Sequence, residues 1–137
     1  MMAIHKFDKD LEKANKWLKD IQDKTRLSES EAFSVFKGTL HELRDRLTPI
    51  EGAHFASELP RIIRGLFYEQ WNPKNLPIKY NKSEFISRIH SYTGNDPNII
   101  PESLVKDMFE VLKNKISQGE INDVKNLLPL RFQELFN

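Results

Sequence analysis

Two helix starts of the same chemistry stand 69 residues apart, and a Leu-Pro pair follows each of them in the same frame. Thr48-Pro49-Ile50-Glu51 and Ser117-Gln118-Gly119-Glu120 both place a hydroxyl three residues ahead of a carboxylate. That is the capping-box pattern, in which the two side chains satisfy amides that a helix N-terminus leaves free. Pro49 strengthens the first start, since proline at the first helical position has no intrahelical amide bond to lose. Downstream, Leu59-Pro60 and Leu128-Pro129 share the offset. A proline there cannot donate to the preceding turn and crowds it, so each pair predicts the end of one helix and the start of another. The offset also pairs Phe36 with Val105, Leu40 with Phe109, Leu43 with Leu112, Leu47 with Ile116, Ile63 with Phe132 and Phe67 with Phe136. Further upstream, Trp17 with Phe85 and Ile21 with Ile89 fit an offset of 68. The expectation is an internal duplication over approximately residues 4–71 and 82–137, joined by a linker at 72–81.

Periodicity supplies the remaining helices. Ile4, Phe7, Leu11, Ala14, Leu18 and Ile21 recur at steps of three and four, the stripe of an amphipathic helix. Ser28 and Glu31 predict a capped start for a second helix, with Phe33, Phe36, Leu40, Leu43 and Leu47 on its core face. Between Trp71 and Asn81 the text turns to Asn-Pro, Leu-Pro and lysine, a loop composition. Helical spacing resumes at Phe85, Ile86 and Ile89, stops at Gly94, and returns after Pro101 with Val105, Met108, Phe109, Leu112 and Ile116. The fold class this predicts is all-α: one domain, residues 1–137, an antiparallel helical bundle of two degenerate repeats with pseudo-twofold symmetry.

Composition removes several classes of function. With 21 basic and 20 acidic residues, the chain has no global field with which to hold a nucleic acid or an anionic membrane. The absence of cysteine excludes disulfides, zinc-thiolate sites and thiol nucleophiles, and agrees with a cytoplasmic location. Charges at Lys6 and Asp8 leave no room before them for the apolar core of a signal peptide, and no apolar run is long enough to span a bilayer.

The run LRDRLT at 43–48, the Leu59-Pro60 pair, IIRGLFYEQWNP at 62–73, and GEINDV at 119–124 followed by LLP resemble the bacterial domain-of-unknown-function family 2267. The likeness covers nearly the whole chain. It implies a small helical protein with no assigned reaction.

Candidate residues fall into two groups. Glu51 and His54 form Glu-x-x-His on one helical face, the arrangement that supplies carboxylate and imidazole to metal sites inside bundles. The offset carries these positions to Glu120 and Asp123. Capping already accounts for Glu51 and Glu120, so the first reading assigns no metal and no cofactor, and a carboxylate–histidine metal protein or enzyme using all four residues stands as the alternative. The second group is the segment 61–82, where Arg61, Arg64, Lys74, Lys79 and Lys82 face a single acid, Glu69, among Phe67, Tyr68, Trp71 and Tyr80. Arg61, Arg64, Tyr68 and Trp71 are its candidate binding surface. A protein partner is preferred there, and weak nucleic-acid binding through rings and cations is a further alternative.

The first functional reading is therefore a non-enzymatic interaction or regulatory module, with no membrane partner and no identifiable small-molecule ligand. Three smaller expectations complete it. His5, His41 and His90 lack metal-ligand spacing and read as surface or boundary residues. Gly38 and Gly65, costly inside helices, read as close-approach points. Asp45 reads as the ion-pair partner of a neighbouring arginine, Arg44 or Arg46.

Overall fold

The computed structural model describes residues 5–137. Eight α-helices follow one another: α1 (Asp8–Thr25), α2 (Glu29–Asp45), α3 (Pro49–Ala56), α4 (Arg61–Tyr68), α5 (Lys82–Ser91), α6 (Pro101–Lys115), α7 (Gln118–Leu127) and α8 (Leu130–Gln133). A 3₁₀ turn, Glu134–Phe136, closes the chain, and no strand occurs among the described residues. The all-helical class is as expected, and α3/α4 and α7/α8 are divided where the two prolines predict. No helix among the described residues is long and apolar enough to cross a membrane.

Local chemistry explains the boundaries. Ser28 and Glu31 form the full reciprocal box at the start of α2. Thr48 Oγ1 accepts from the Glu51 amide at 3.3 Å and opens α3, with Pro49 in the first turn. Asn81 Oδ1 accepts from the Glu84 amide at 2.8 Å and opens α5. Gly94 adopts φ +77° in the turn beyond α5, a conformation that glycine reaches without a Cβ clash.

Helices α2 and α6 lie at the centre. The first packs on α1, α4, α5 and α6, and the second on α1, α5 and the C-terminal turn. Two aromatic groups fill the core. Phe55, Phe67, Tyr68 and Trp71 run in a chain with centroids 5.1–5.8 Å apart, while Phe85, Phe109, Phe132 and Phe136 make the other, at 4.5–6.1 Å. Burial of such rings is the dominant favourable term for a domain of this size.

The stripe positions differ in outcome. Ile21 is buried and Ala14 and Leu18 pack partly on the core, but Phe7, Leu11 and Phe33 lie exposed. Ile4 lies outside the described residues. His41 is buried rather than at the surface, because its Nε2 meets the Leu66 carbonyl at 2.7 Å. His5 is exposed beside Asp8, and His90 is half-buried against the carbonyls of Asp96 and Ile99.

The segment after α4 is fastened to the end of α2 by buried charge. Arg44 Nη1 donates to the carbonyls of Phe67 and Glu69 at 2.7 and 2.8 Å, and its Nε donates to Asp45 at 2.8 Å. The Asp45 partner is thus Arg44. Arg46 donates to the carbonyls of Ile78 and Tyr80 and lies over the rings of Tyr80 and Phe132. Buried Glu42 accepts from the Tyr80 hydroxyl and from Arg88 Nε. Glu42, Arg44 and Arg46 are therefore each supplied with partners, as burial in a low dielectric requires.

Candidate metal centre

The capping pattern that Ser117 and Glu120 share with the first half is only half realised. Ser117 Oγ accepts from the Glu120 amide at 3.3 Å and caps α7. The reciprocal bond, from the Ser117 amide to the carboxylate three residues on, is absent. Glu58 takes it instead: its Oε1 accepts from the Ser117 amide at 2.9 Å and its Oε2 from the Ser117 hydroxyl at 2.7 Å. The role that sequence assigned to the Glu120 side chain is thereby filled from another part of the molecule.

Released from the cap, the Glu120 carboxylate turns toward α3. The residue is only 4 % exposed. Its Oε2 lies 2.7 Å from His54 Nδ1, yet not in the alignment of a hydrogen bond. Among the described residues it is the one buried side-chain nitrogen or oxygen without a hydrogen-bond partner. Burial pushes the Glu120 carboxyl above its ordinary range, and the neighbouring His54 opposes that shift without cancelling it.

Asp123 completes a cluster. One ligand atom each from His54, Glu120 and Asp123 lies within 4.8 Å of the others. His54 is on the last turn of α3 and Asp123 one turn beyond Glu120 on α7, so the spacing of three on a helix brings the two acids to one face. His54 and Asp123 are both exposed, and hence free to adjust, while Glu120 is fixed by its burial. Donors around a first-row divalent ion sit at about 2.0–2.2 Å from it, and the two exposed side chains are free to adjust to such an ion beside the fixed Glu120.

Glu51 departs from the expected foursome. It lines the same cleft, but it is not in the convergent set, and its Oε1 accepts from the Thr48 hydroxyl at 2.8 Å. The cleft has a volume of about 510 Å³ and is completed by Ile50, Asn126 and Leu127, which sequence reasoning did not single out.

The other candidate group is dispersed over separate partners. Arg61 Nη1 lies 3.6 Å from Asp10. Arg64 donates to the carbonyls of Ala56 at 3.0 Å and Leu59 at 2.8 Å, closing the C-terminal end of α3. Tyr68 and Trp71 do meet, edge to face, with centroids 5.4 Å apart, and both are half-buried. Lys82 is held between Glu102 and Glu134 at 3.1 and 3.0 Å.

Fold and cleft together define a small all-helical protein that carries a carboxylate–histidine cluster between its third and seventh helices. Over residues 14–135 the chain matches the model of the family described as uncharacterized conserved protein (DUF2267), and it belongs to that family. No curated protein matches it.

Proposed function

We propose that the chain is a metal-binding helical module in which His54, Glu120 and Asp123 hold one divalent transition-metal ion. The observation that carries this reading is the buried Oε2 of Glu120, which has no aligned hydrogen bond and whose neighbours His54 and Asp123 are themselves metal donors. An isolated carboxylate taken out of water costs several kcal/mol unless a counter-charge or hydrogen bonds compensate it, and a divalent ion between the three side chains supplies that compensation. Imidazole with two carboxylates suits zinc, manganese, iron(II) or cobalt rather than calcium or magnesium, whose shells are built from oxygen. The reading also accounts for the duplication inferred from sequence. Under the 69-residue offset His54 and Asp123 are equivalent positions, as are Glu51 and Glu120, so the ion joins the corresponding helices of the two halves.

The test is calorimetric titration of the chelator-stripped chain with zinc and manganese, with native mass spectrometry for stoichiometry. One ion per chain is expected, with affinity reduced at least tenfold in His54→Ala and in Glu120→Gln, a loss in line with removal of one ligand. Binding that is absent, or that survives both substitutions unchanged, refutes the assignment.

A further inference from the structure

Three protein donors are the complement of metal sites that keep an exchangeable position, whereas closed structural sites use four. The surroundings of the cluster specify what that position accepts. On one side Ile50 is 84 % exposed and Leu127 49 % exposed, two aliphatic side chains that line the cleft and remain in water. Scattered exposed apolar residues need no explanation, but a pair placed at the rim of a polar cluster forms a contact surface for whatever enters it.

Charge narrows the choice. Glu120 and Asp123 together neutralise a divalent ion, a metal-bound imidazole adds no charge, and Glu51 leaves the cleft with a surplus negative charge. An incoming anion therefore meets repulsion, while a neutral donor does not. We propose, on the basis of the metal reading above, that the open position takes a small neutral ligand with one nitrogen or carbonyl-oxygen donor and an aliphatic substituent. The donor completes the metal shell and the substituent lies against Ile50 and Leu127.

The experiment uses the full chain loaded with cobalt(II), whose visible absorption reports each change of ligand. Imidazole and 1-butylimidazole both shift the spectrum, and the butyl compound binds about tenfold tighter because its chain removes apolar surface from water. Acetate at the same concentrations leaves the spectrum unchanged. In the double variant Ile50→Ser and Leu127→Ser, at exposed positions outside the core, imidazole binding persists and the butyl preference disappears. Equal affinity for the two azoles, or acetate binding as tightly as imidazole, overturns the proposal.

A capped peptide carrying one histidine among leucines distinguishes the source of the donor. If it binds far more tightly than 1-butylimidazole, the donor belongs to a protein partner and the small-molecule assignment is wrong. Failure of the chain to take up cobalt at all sinks the metal reading itself and this proposal with it. Uptake without any response to the azoles sinks only the proposal.

Discussion

Glu58 caps a helix that begins 59 residues further along the chain, accepting from both the amide and the hydroxyl of Ser117. This bond ties the end of α3 to the start of α7 and leaves the Glu120 carboxylate without its local partner. Glu58→Ala therefore has two effects. Loss of the cap lowers stability by about 1 kcal/mol. The freed Ser117 amide also offers Glu120 a competing hydrogen bond, so zinc affinity falls although Glu58 is no ligand. Thermal unfolding and zinc titration of the variant measure the two separately, and unchanged metal affinity would show that the Glu58 cap does not set the position of Glu120.

Glu120 makes the pH dependence specific. Its folded-state pKa lies above the ordinary 4.5, chiefly through burial. A carboxyl shifted upward binds its proton more tightly when folded, so ionisation costs stability as pH rises through the window that begins near 4.5, and the deficit persists above it. Replacing the carboxylate with a neutral amide removes that deficit. Metal-free Glu120→Gln is expected to be about 1 kcal/mol more stable than the parent near neutral pH, with the gap closing in acid. With zinc in excess the order reverses, because the parent gains more binding free energy than the variant. Melting temperatures across pH, with and without zinc, decide the matter. A variant less stable than the metal-free parent near neutral pH would contradict the reading that His54 compensates this buried carboxylate only in part.

Arg44 supports the opposite kind of burial, a charge fully supplied with partners. Its guanidinium reaches one carbonyl in the last turn of α4 and one just beyond it while pairing with Asp45. Arg44→Met keeps the apolar stem but leaves those carbonyls and Asp45 uncompensated, at a cost of about 3 kcal/mol. Arg44→Lys recovers little of it, since an ammonium lacks the planar fork that spans separate acceptors. Urea unfolding gives the value, and a loss below about 1 kcal/mol in the methionine variant would mean that water replaces the guanidinium at those carbonyls.

Features written in short-range chemistry were legible in the sequence. Ser28, Thr48, Pro60, Ser117 and Pro129 set helix ends within a few residues of themselves, and the ends lie where they predict. What the sequence concealed was set by tertiary contacts. A capping box read from Ser117 and Glu120 is correct in its residues and wrong in its partner, because Glu58 is adjacent only after folding. The equivalence of His54 with Asp123 and of Glu51 with Glu120 was visible in the sequence, but the contact of His54 with Glu120 and the burial of that carboxylate were not. Phe33 fits the apolar period of α2 yet is left partly exposed in a shallow cleft with Gln70 and Tyr92, and His41, of a type usual at surfaces, is drawn inside by one carbonyl.

Gly38 and Gly65, two of the helical glycines, show the same limit and give the sharpest test. Both lie inside a continuous helix, and sequence alone reads both as points of close approach. At Gly38 this holds: a Cβ there would stand 2.3–2.5 Å from three ring carbons of Tyr92, far inside contact distance. At Gly65 it does not, since nothing lies within 4 Å of the added atom and the residue is exposed. Opposite signs follow from the same substitution. Gly65→Ala gains helix propensity and restricts the unfolded chain, raising stability by about 0.5–1 kcal/mol. Gly38→Ala has the same intrinsic gain but must displace the Tyr92 ring, for a net loss of about 1–3 kcal/mol. Tyr92→Ala in the same chain removes the obstruction, so the alanine at 38 should be better tolerated in that background than in the parent, by a coupling of at least 1 kcal/mol. Chemical denaturation of the two single variants and the double variant measures all three terms. If Gly38→Ala proved neutral in the parent, the ring of Tyr92 would have to be mobile enough to yield its place without loss, and the packing of α5's C-terminal turn on α2 would contribute little to the fold.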